Sequence, residues 1–215
     1  ASGYHAITIG ILGTELFRRI EGRSIRQFVE EEFRQAHGLD IMIGLPIAEE
    51  PRRAEIIPPP AGAALPSLTP PQIAGLANPP MDAAAVNERP WRAADLPSAN
   101  GHSNARALAG LYSFLVHGEL VRPGTLAEAI RPRIENVDLV LDIPTRWAAG
   151  YLVNTDGCYG PSASSFGHSG WGGSFAFGDP ETGLAVSYTM NRMGSTLRED
   201  PRNLALIDAT YQCIL

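Results

Sequence analysis

Residues 166–191, FGHSGWGGSFAFGDPETGLAVSYTMN, decide the fold. They read as a glycine-punctuated entry, a strand over 174–178, a tight turn through Asp179, Pro180, Glu181, Thr182 and Gly183, and a second strand over 184–190. Pro180 fixes φ and Gly183 tolerates a positive φ, which suits a hairpin connection, and both flanking runs are rich in Phe, Val, Tyr and Ala. The stretch therefore predicts an antiparallel hairpin.

The entry to the hairpin carries candidate chemistry. His168, Ser169 and Gly170 set a titratable ring, a hydroxyl and a Cβ-free backbone in a row. Gly170, Gly172 and Gly173 let a substrate lie close against the main chain, and the Trp171 amide is a candidate oxyanion donor. A plainer reading stays open beside it: a Gly-rich strand entry whose His and Ser satisfy turn hydrogen bonds.

Upstream of the hairpin, 147–153 is a candidate strand, and downstream a closing helix is expected from about 201 to 215. Further back, Ala107, Leu108, Leu111, Phe114 and Leu115 share one face of a helix over 103–118, with Ser103 as its cap, and 125–130 forms a short second helix. Near the amino terminus Ile7, Ile11, Leu12, Leu16 and Ile20 recur at helical spacing. Past Gly22 the pattern resumes with Ile25, Phe28, Val29 and Phe33. Ser24 caps that second helix, Gly38 ends it, and the acidic run 30–32 reads as a solvated face. Residues 41–47 suggest a short strand. A long, Pro-rich and mostly irregular excursion follows through 100, with Trp91 as its anchor; such a loop is functional or wraps a neighbour. Helices first and antiparallel strands afterwards indicate an α+β fold.

Composition narrows the function classes. The chain has 215 residues, 44% of them hydrophobic and 19% charged, and a net charge of −6, so no basic patch invites nucleic acid. No run approaches a membrane span and no signal-peptide pattern opens the chain; the compartment stays open, with a soluble cytoplasmic protein favoured. Cys158 and Cys213 make no disulfide framework and read as buried small hydrophobes. The five histidines, His5, His37, His102, His117 and His168, lack metal-ligand spacing, so neither a metal nor a cofactor is implied. All seventeen basic residues are arginine. No lysine base, Schiff base or P-loop lysine can come from this stretch.

Serine-hydrolase layouts then discriminate. GHSGW over 167–171 is not the nucleophile elbow of an α/β-hydrolase, because Trp171 stands where that turn needs glycine and a strand follows instead of a helix. Three separated segments fit another layout: YHAITIGILGTELFRRIEGRSIRQFVEEE (4–32), NERPWRAADLPSANGHSNARALAGLYSFL (87–115) and FGHSGWGGSFAFGDPETGLAVSYTMNRM (166–193). In this order they resemble the carboxy-terminal part of serine hydrolases of the class C β-lactamase fold, closest to the family VIII carboxylesterases, over nearly the whole chain.

The resemblance implies a β-lactamase/transpeptidase-like, penicillin-binding-protein-like α+β fold. Residues 5–145 would form a helical lobe with a cleft-covering loop, and 146–215 the carboxy-terminal part of an α/β lobe. It implies a serine of an SxxK motif as nucleophile, with lysine and tyrosine sharing the proton work. Tyr4 matches that tyrosine; His168, Ser169 and Gly170 match the third motif, with Trp171 as oxyanion donor, or Trp171, Gly172 and Gly173 match it in an alternative register. On this view Tyr4, His168 and Trp171 are catalytic, and Ser169, Gly170 and Gly172 bind substrate. Ala6 replaces an asparagine and His168 a lysine of the β-lactamases, which shifts the expectation from β-lactams toward an ester, or an amide. A protonated His168 would help an upstream lysine favour the Tyr4 phenolate. The lysine-free stretch needs an upstream segment or companion chain to bring SxxK. Without it, the resemblance predicts an open sheet edge and a bare apolar face.

Overall fold

The structure, a computed structural model, describes residues 1–59, 68–76, 82–198 and 200–214. The predicted hairpin is present: β7 (Phe175–Asp179) and β8 (Leu184–Tyr188) pair antiparallel with Asp179 opposite Leu184. Its turn is organised by the buried Asp179, whose carboxylate accepts hydrogen bonds from the Glu181 amide, the Thr182 hydroxyl and Tyr211. Gly183 supplies the positive φ of 75°. The strands are shorter than expected at one end. Ser174 turns its hydroxyl to the Met190 amide and its carbonyl to the Gly170 amide, so both residues leave the ladder.

The hairpin closes one side of a six-stranded antiparallel sheet ordered β3 (Ile134–Val137), β4 (Pro144–Trp147), β5 (Leu152–Val153), β6 (Phe166–Ser169), β7, β8. The strand expected over 147–153 is two strands, because Gly150 turns at φ 87° and Ala148 donates to the Tyr151 carbonyl. β3 carries no alternating burial and was not expected from the sequence. The boundary expected between 145 and 146 falls inside β4.

Alternation along the strands builds two cores. Phe166 and Ala176 meet Tyr112 and Leu115 of α5 (Ala105–Val116) and Leu126 of α6 (Pro123–Ile130). Leu152, Phe175 and Phe177 face the other way, onto Tyr159 and onto Ile207 and Tyr211 of α7 (Pro201–Gln212). Phe166 and Phe177 are fully buried, each contributing about 2–3 kcal/mol of hydrophobic stabilisation. Gly167 lies between them, and a Cβ there would overlap the Ala176 carbonyl oxygen. α5 is shared, since its Ala107, Leu108 and Leu111 pack a third core with Val29, Leu39, Ile41 and Ile43. Its cap is Asn104, whose side chain accepts from the Ala107 amide; the expected cap, Ser103, instead donates to the Asp40 carbonyl.

The amino-terminal helices are α1 (Thr8–Glu21) and α2 (Ile25–Phe28), the latter capped by Ser24 as expected and continued by a π-helical stretch, Val29–Gln35. Glu30, Glu31 and Glu32 are half-buried and paired with Arg34 and Arg23, so the acidic run is a salt-linked face more than a solvated one. The apolar face of α1 departs from expectation. Ile7 is buried, but Ile9, Leu12, Leu16 and Ile20, spaced three and four apart, stand 61–78% exposed, with Ile11 also open. No described element covers them.

The expected strand over 41–47 is only β1 (Met42–Ile43), paired with β2 (Gly101–His102), and a 3₁₀ turn follows at Ile47–Arg52. The excursion holds α3 (Pro70–Leu76) and α4 (Arg89–Ala93); the parts over 60–67 and 77–81 lie outside the described residues. Trp91 is half-buried, and the anchor is its neighbour: buried Arg92 pairs with Glu50 at 2.9 Å, joined by Arg89 at 2.7 Å and Arg53 at 3.0 Å. Both cysteines are free, Cys158 half-buried and Cys213 exposed, so only the former approaches the expected burial.

Candidate active site

The site is assembled on Asp138, at the turn between β3 and β4. Its side chain is fully buried, and its two oxygens have separate tasks. Oδ1 accepts from the amides of Tyr4, Val140 and Leu141, at 2.9, 2.9 and 3.1 Å. Oδ2 accepts from the Ser2 hydroxyl at 3.0 Å and the Trp147 indole at 3.3 Å. Burial opposes ionisation, yet these donors outweigh it and hold the carboxyl below its usual value. One buried charge thereby fixes both the main chain of Tyr4 and the ring of Trp147.

Three rings meet above it. Tyr4 stacks on Trp147 with centroids 5.8 Å apart and planes 11° from parallel. His168 leans against both, 5.9 Å from each. The residues at the two ends of the chain's resemblance, Tyr4 and His168, are therefore neighbours. The Tyr4 hydroxyl forms no hydrogen bond among the described residues. Burial, then the Asp138 charge, pushes its pKa above 10.

His168 contacts the Ser169 carbonyl through Nδ1 at 2.8 Å. A carbonyl only accepts, so Nδ1 carries the proton and Nε2 is left as an acceptor. Burial depresses the ring's pKa, only partly countered by that bond, so the imidazole is neutral near pH 7. The expectation of a protonated His168 as a helper cation is corrected on this ground. Ser169 points to the opposite face of β6, where its buried hydroxyl meets Tyr159 at 3.2 Å. Strand alternation thus separates two residues that the motif reading joined as cleft groups.

The glycine loop divides likewise. Gly170 is exposed and would accept a Cβ at an ordinary 3.7 Å from the Ser174 carbonyl. Gly172 is buried at φ 99°, its amide given to the Thr196 carbonyl and its own carbonyl taken by Gly194 and Arg202. Gly173 donates to the Gly170 carbonyl. The Trp171 amide, by contrast, has no acceptor among the described residues. Of the glycines proposed to meet substrate, Gly170 is open and Gly172 is spent on the turn.

The excursion returns to this region. Ile57 bridges to the segment after β8, donating to Asn191 and accepting from Met193. Gln72 of α3 donates to the Val140 carbonyl, and a Cβ on Gly75 would stand 3.1 Å from the Tyr4 carbonyl. Among the described residues no group of His, Cys, Asp or Glu is arranged to hold a metal ion, and no helix is long and apolar enough to cross a membrane.

Asp138 and Trp147 escaped the sequence reading. The only signal for Trp147 was its place at the edge of an expected strand, and an isolated Asp in 138–142 looks like any turn residue.

Comparison with known proteins identifies the family and the fold. The family model described as Beta-lactamase matches residues 1–210. Esterase/beta-lactamase LipL of Mycobacterium tuberculosis is 34% identical over 216 residues, an alignment covering 91% of this chain and 49% of LipL. The chain thus spans about half the length of that curated relative. A crystal structure of a family VIII carboxylesterase superposes with a TM-score of 0.92 at 36% identity, covering all of this chain and 59% of the other. A penicillin-binding protein homologue from Caulobacter crescentus does so at 0.86 and 38%, with the same coverage. With its helices set against an antiparallel sheet and matched along nearly its whole length, the chain belongs to the beta-lactamase family of serine hydrolases and esterases.

Proposed function

We propose that these residues form the carboxy-terminal half of a serine esterase that works through an acyl-enzyme, its SxxK serine and lysine supplied by an upstream segment or companion chain. The observation that carries the reading is the meeting of Tyr4 and His168 beside a glycine loop whose Trp171 amide lacks an acceptor. The absence of lysine from the sequence and the bare apolar stripe of α1 support a nucleophile half packed from outside these residues.

The serine hydroxyl attacks the ester carbonyl, and Tyr4 relays its proton to the departing alcohol; water then releases the acid by the reverse route. With its pKa raised, the Tyr4 phenol requires the incoming lysine cation before it serves as a base. The Trp171 amide stabilises the tetrahedral oxyanion. His168, with Nε2 free, orients substrate, and Gly170 lets it approach the strand. A neutral imidazole suits an uncharged ester carbonyl better than an anionic β-lactam. The excursion, anchored at Ile57 and Gln72, shapes acyl or alcohol preference.

The test uses the whole polypeptide, or this chain with its companion. A fluorophosphonate probe should label one serine outside residues 1–215, and p-nitrophenyl butyrate should turn over faster than a D-amino-acid p-nitroanilide. Faster anilide turnover would select an amidase of the same fold. No label and no turnover would leave a non-catalytic binding relative.

A further inference from the structure

Between the turn that follows Asp138 and the segment 196–198 lies a cavity of about 240 Å³, lined by Leu141, Ile143, Thr196, Leu197 and Arg198. One wall continues from the Asp138 turn that holds Tyr4; the other is the segment whose Thr196 carbonyl receives the Gly172 amide. Leu141, Ile143 and Leu197 make its lining largely apolar. Arg198 is the exception.

Arg198 is only 8% exposed. Its Nη1 donates to the Pro144 carbonyl at 2.8 Å and its Nη2 to the Thr155 carbonyl at 3.2 Å. Among the described residues the buried Nε has no hydrogen-bond partner and no carboxylate forms an ion pair with this guanidinium. Every other interior cation described above has such a partner: Arg92, comparably buried, is matched by Glu50. A guanidinium cannot shed its proton, and a buried charge without a counterion is unfavourable by several kcal/mol. Carbonyl dipoles neutralise it in part, and one N–H on each Nη remains besides the sealed Nε.

From this combination we infer that the cavity binds the carboxylate of a short aliphatic acid, its oxygens on the Nη hydrogens of Arg198 not given to Pro144 and Thr155 and its alkyl chain against Leu141, Ile143 and Leu197. A charge-assisted hydrogen bond from a guanidinium favours a carboxylate over a neutral amide of the same shape. The binding step does not depend on the esterase reading. Two sources share this chemistry: a free acid, and the far end of a half-ester substrate.

Calorimetric titration of the full polypeptide with butyrate and with butyramide tests the binding. Butyrate should bind at least tenfold more tightly. Leu197→Trp, which fills the cavity and leaves the two carbonyl bonds of Arg198 intact, should abolish the difference with the melting temperature held. Arg198→Met should abolish it too, although this variant also loses a strut between Pro144 and Thr155. Equal binding of the acid and the amide, or butyrate binding that survives Leu197→Trp, overturns the proposal. The source follows from monoethyl and diethyl glutarate. A KM at least fivefold lower for the half-ester, lost in Leu197→Trp, assigns the site to substrate; equal KM values with intact butyrate binding assign it to a free acid.

Discussion

Tyr4 lies face to face with Trp147, the rings 5.8 Å apart and within 11° of parallel, while its hydroxyl is unbonded among the described residues. The phenol is thus held by its ring and its amide, with the oxygen free for chemistry. In the polypeptide that carries the nucleophile, Tyr4→Phe should keep the fold and lower kcat for an ester by about 10²–10⁴-fold. A variant with an unchanged melting temperature and near-normal kcat would remove Tyr4 from the proton path.

Asp138 should matter for both fold and site. Asp138→Asn keeps an acceptor for the three amides but sets an NH₂ group against the Trp147 indole N–H. A loss of about 3 kcal/mol in urea unfolding is expected, with near-ultraviolet circular dichroism reporting a reoriented tryptophan. The pH dependence has a definite sign. A carboxyl depressed in the folded state stabilises at pH above its unfolded value, about 3.9, and loses that contribution as pH falls through the folded one. The variant should therefore lose less stability than the parent below pH 4.

His168 acts in a different window. Its folded pKa lies below the ordinary imidazole value of about 6.5, so just below that value the unfolded chain binds more protons and stability rises with pH. Acidification from pH 7 to 5 should lower the melting temperature of the parent more than that of His168→Gln. Equal losses in the two proteins would show that the ring is not held neutral.

The two glycines of the loop should separate. Gly172→Ala places a Cβ at φ 99° against Met190 and Met193 and should cost about 1–3 kcal/mol of stability. Gly170→Ala meets only an ordinary contact, so the fold should survive while KM for the ester rises. Thermal melts alongside Michaelis curves distinguish them; a destabilised Gly170→Ala protein would contradict the assignment of that position to the cleft.

The bare stripe of α1 should make the 1–215 chain alone associate. Light scattering after size exclusion should give larger species, and Leu16→Gln with Ile20→Gln should shift them toward monomer. A monomeric parent chain would mean that the stripe is harmless to solubility.

What the sequence disclosed follows from locality. The hairpin was legible because Asp179, Pro180 and Gly183 set their own turn, and Ser24 and Gly38 marked helix ends by the same short-range chemistry. Tyr4 and His168 could be associated only through a family likeness, since nothing local brings residues so distant in sequence together. Asp138 and Trp147 were hidden because their value arises from donors across the fold. The helical period of α1 was plain, but a period states that a face is apolar and not what it meets. Ser103 and Asn104 are both good caps, and only the demand of the Asp40 carbonyl chose between them.

Gly167 sets the register of β6 against β7. Every amino-acid replacement of that glycine installs at least a Cβ, which the Ala176 carbonyl forbids without moving β6 against β7. A slip of one residue would exchange imidazole for hydroxyl on the face of β6 that meets Tyr4 and Trp147. Position 167 therefore pins β6 against β7, and with it the face on which the His168 ring meets Tyr4 and Trp147.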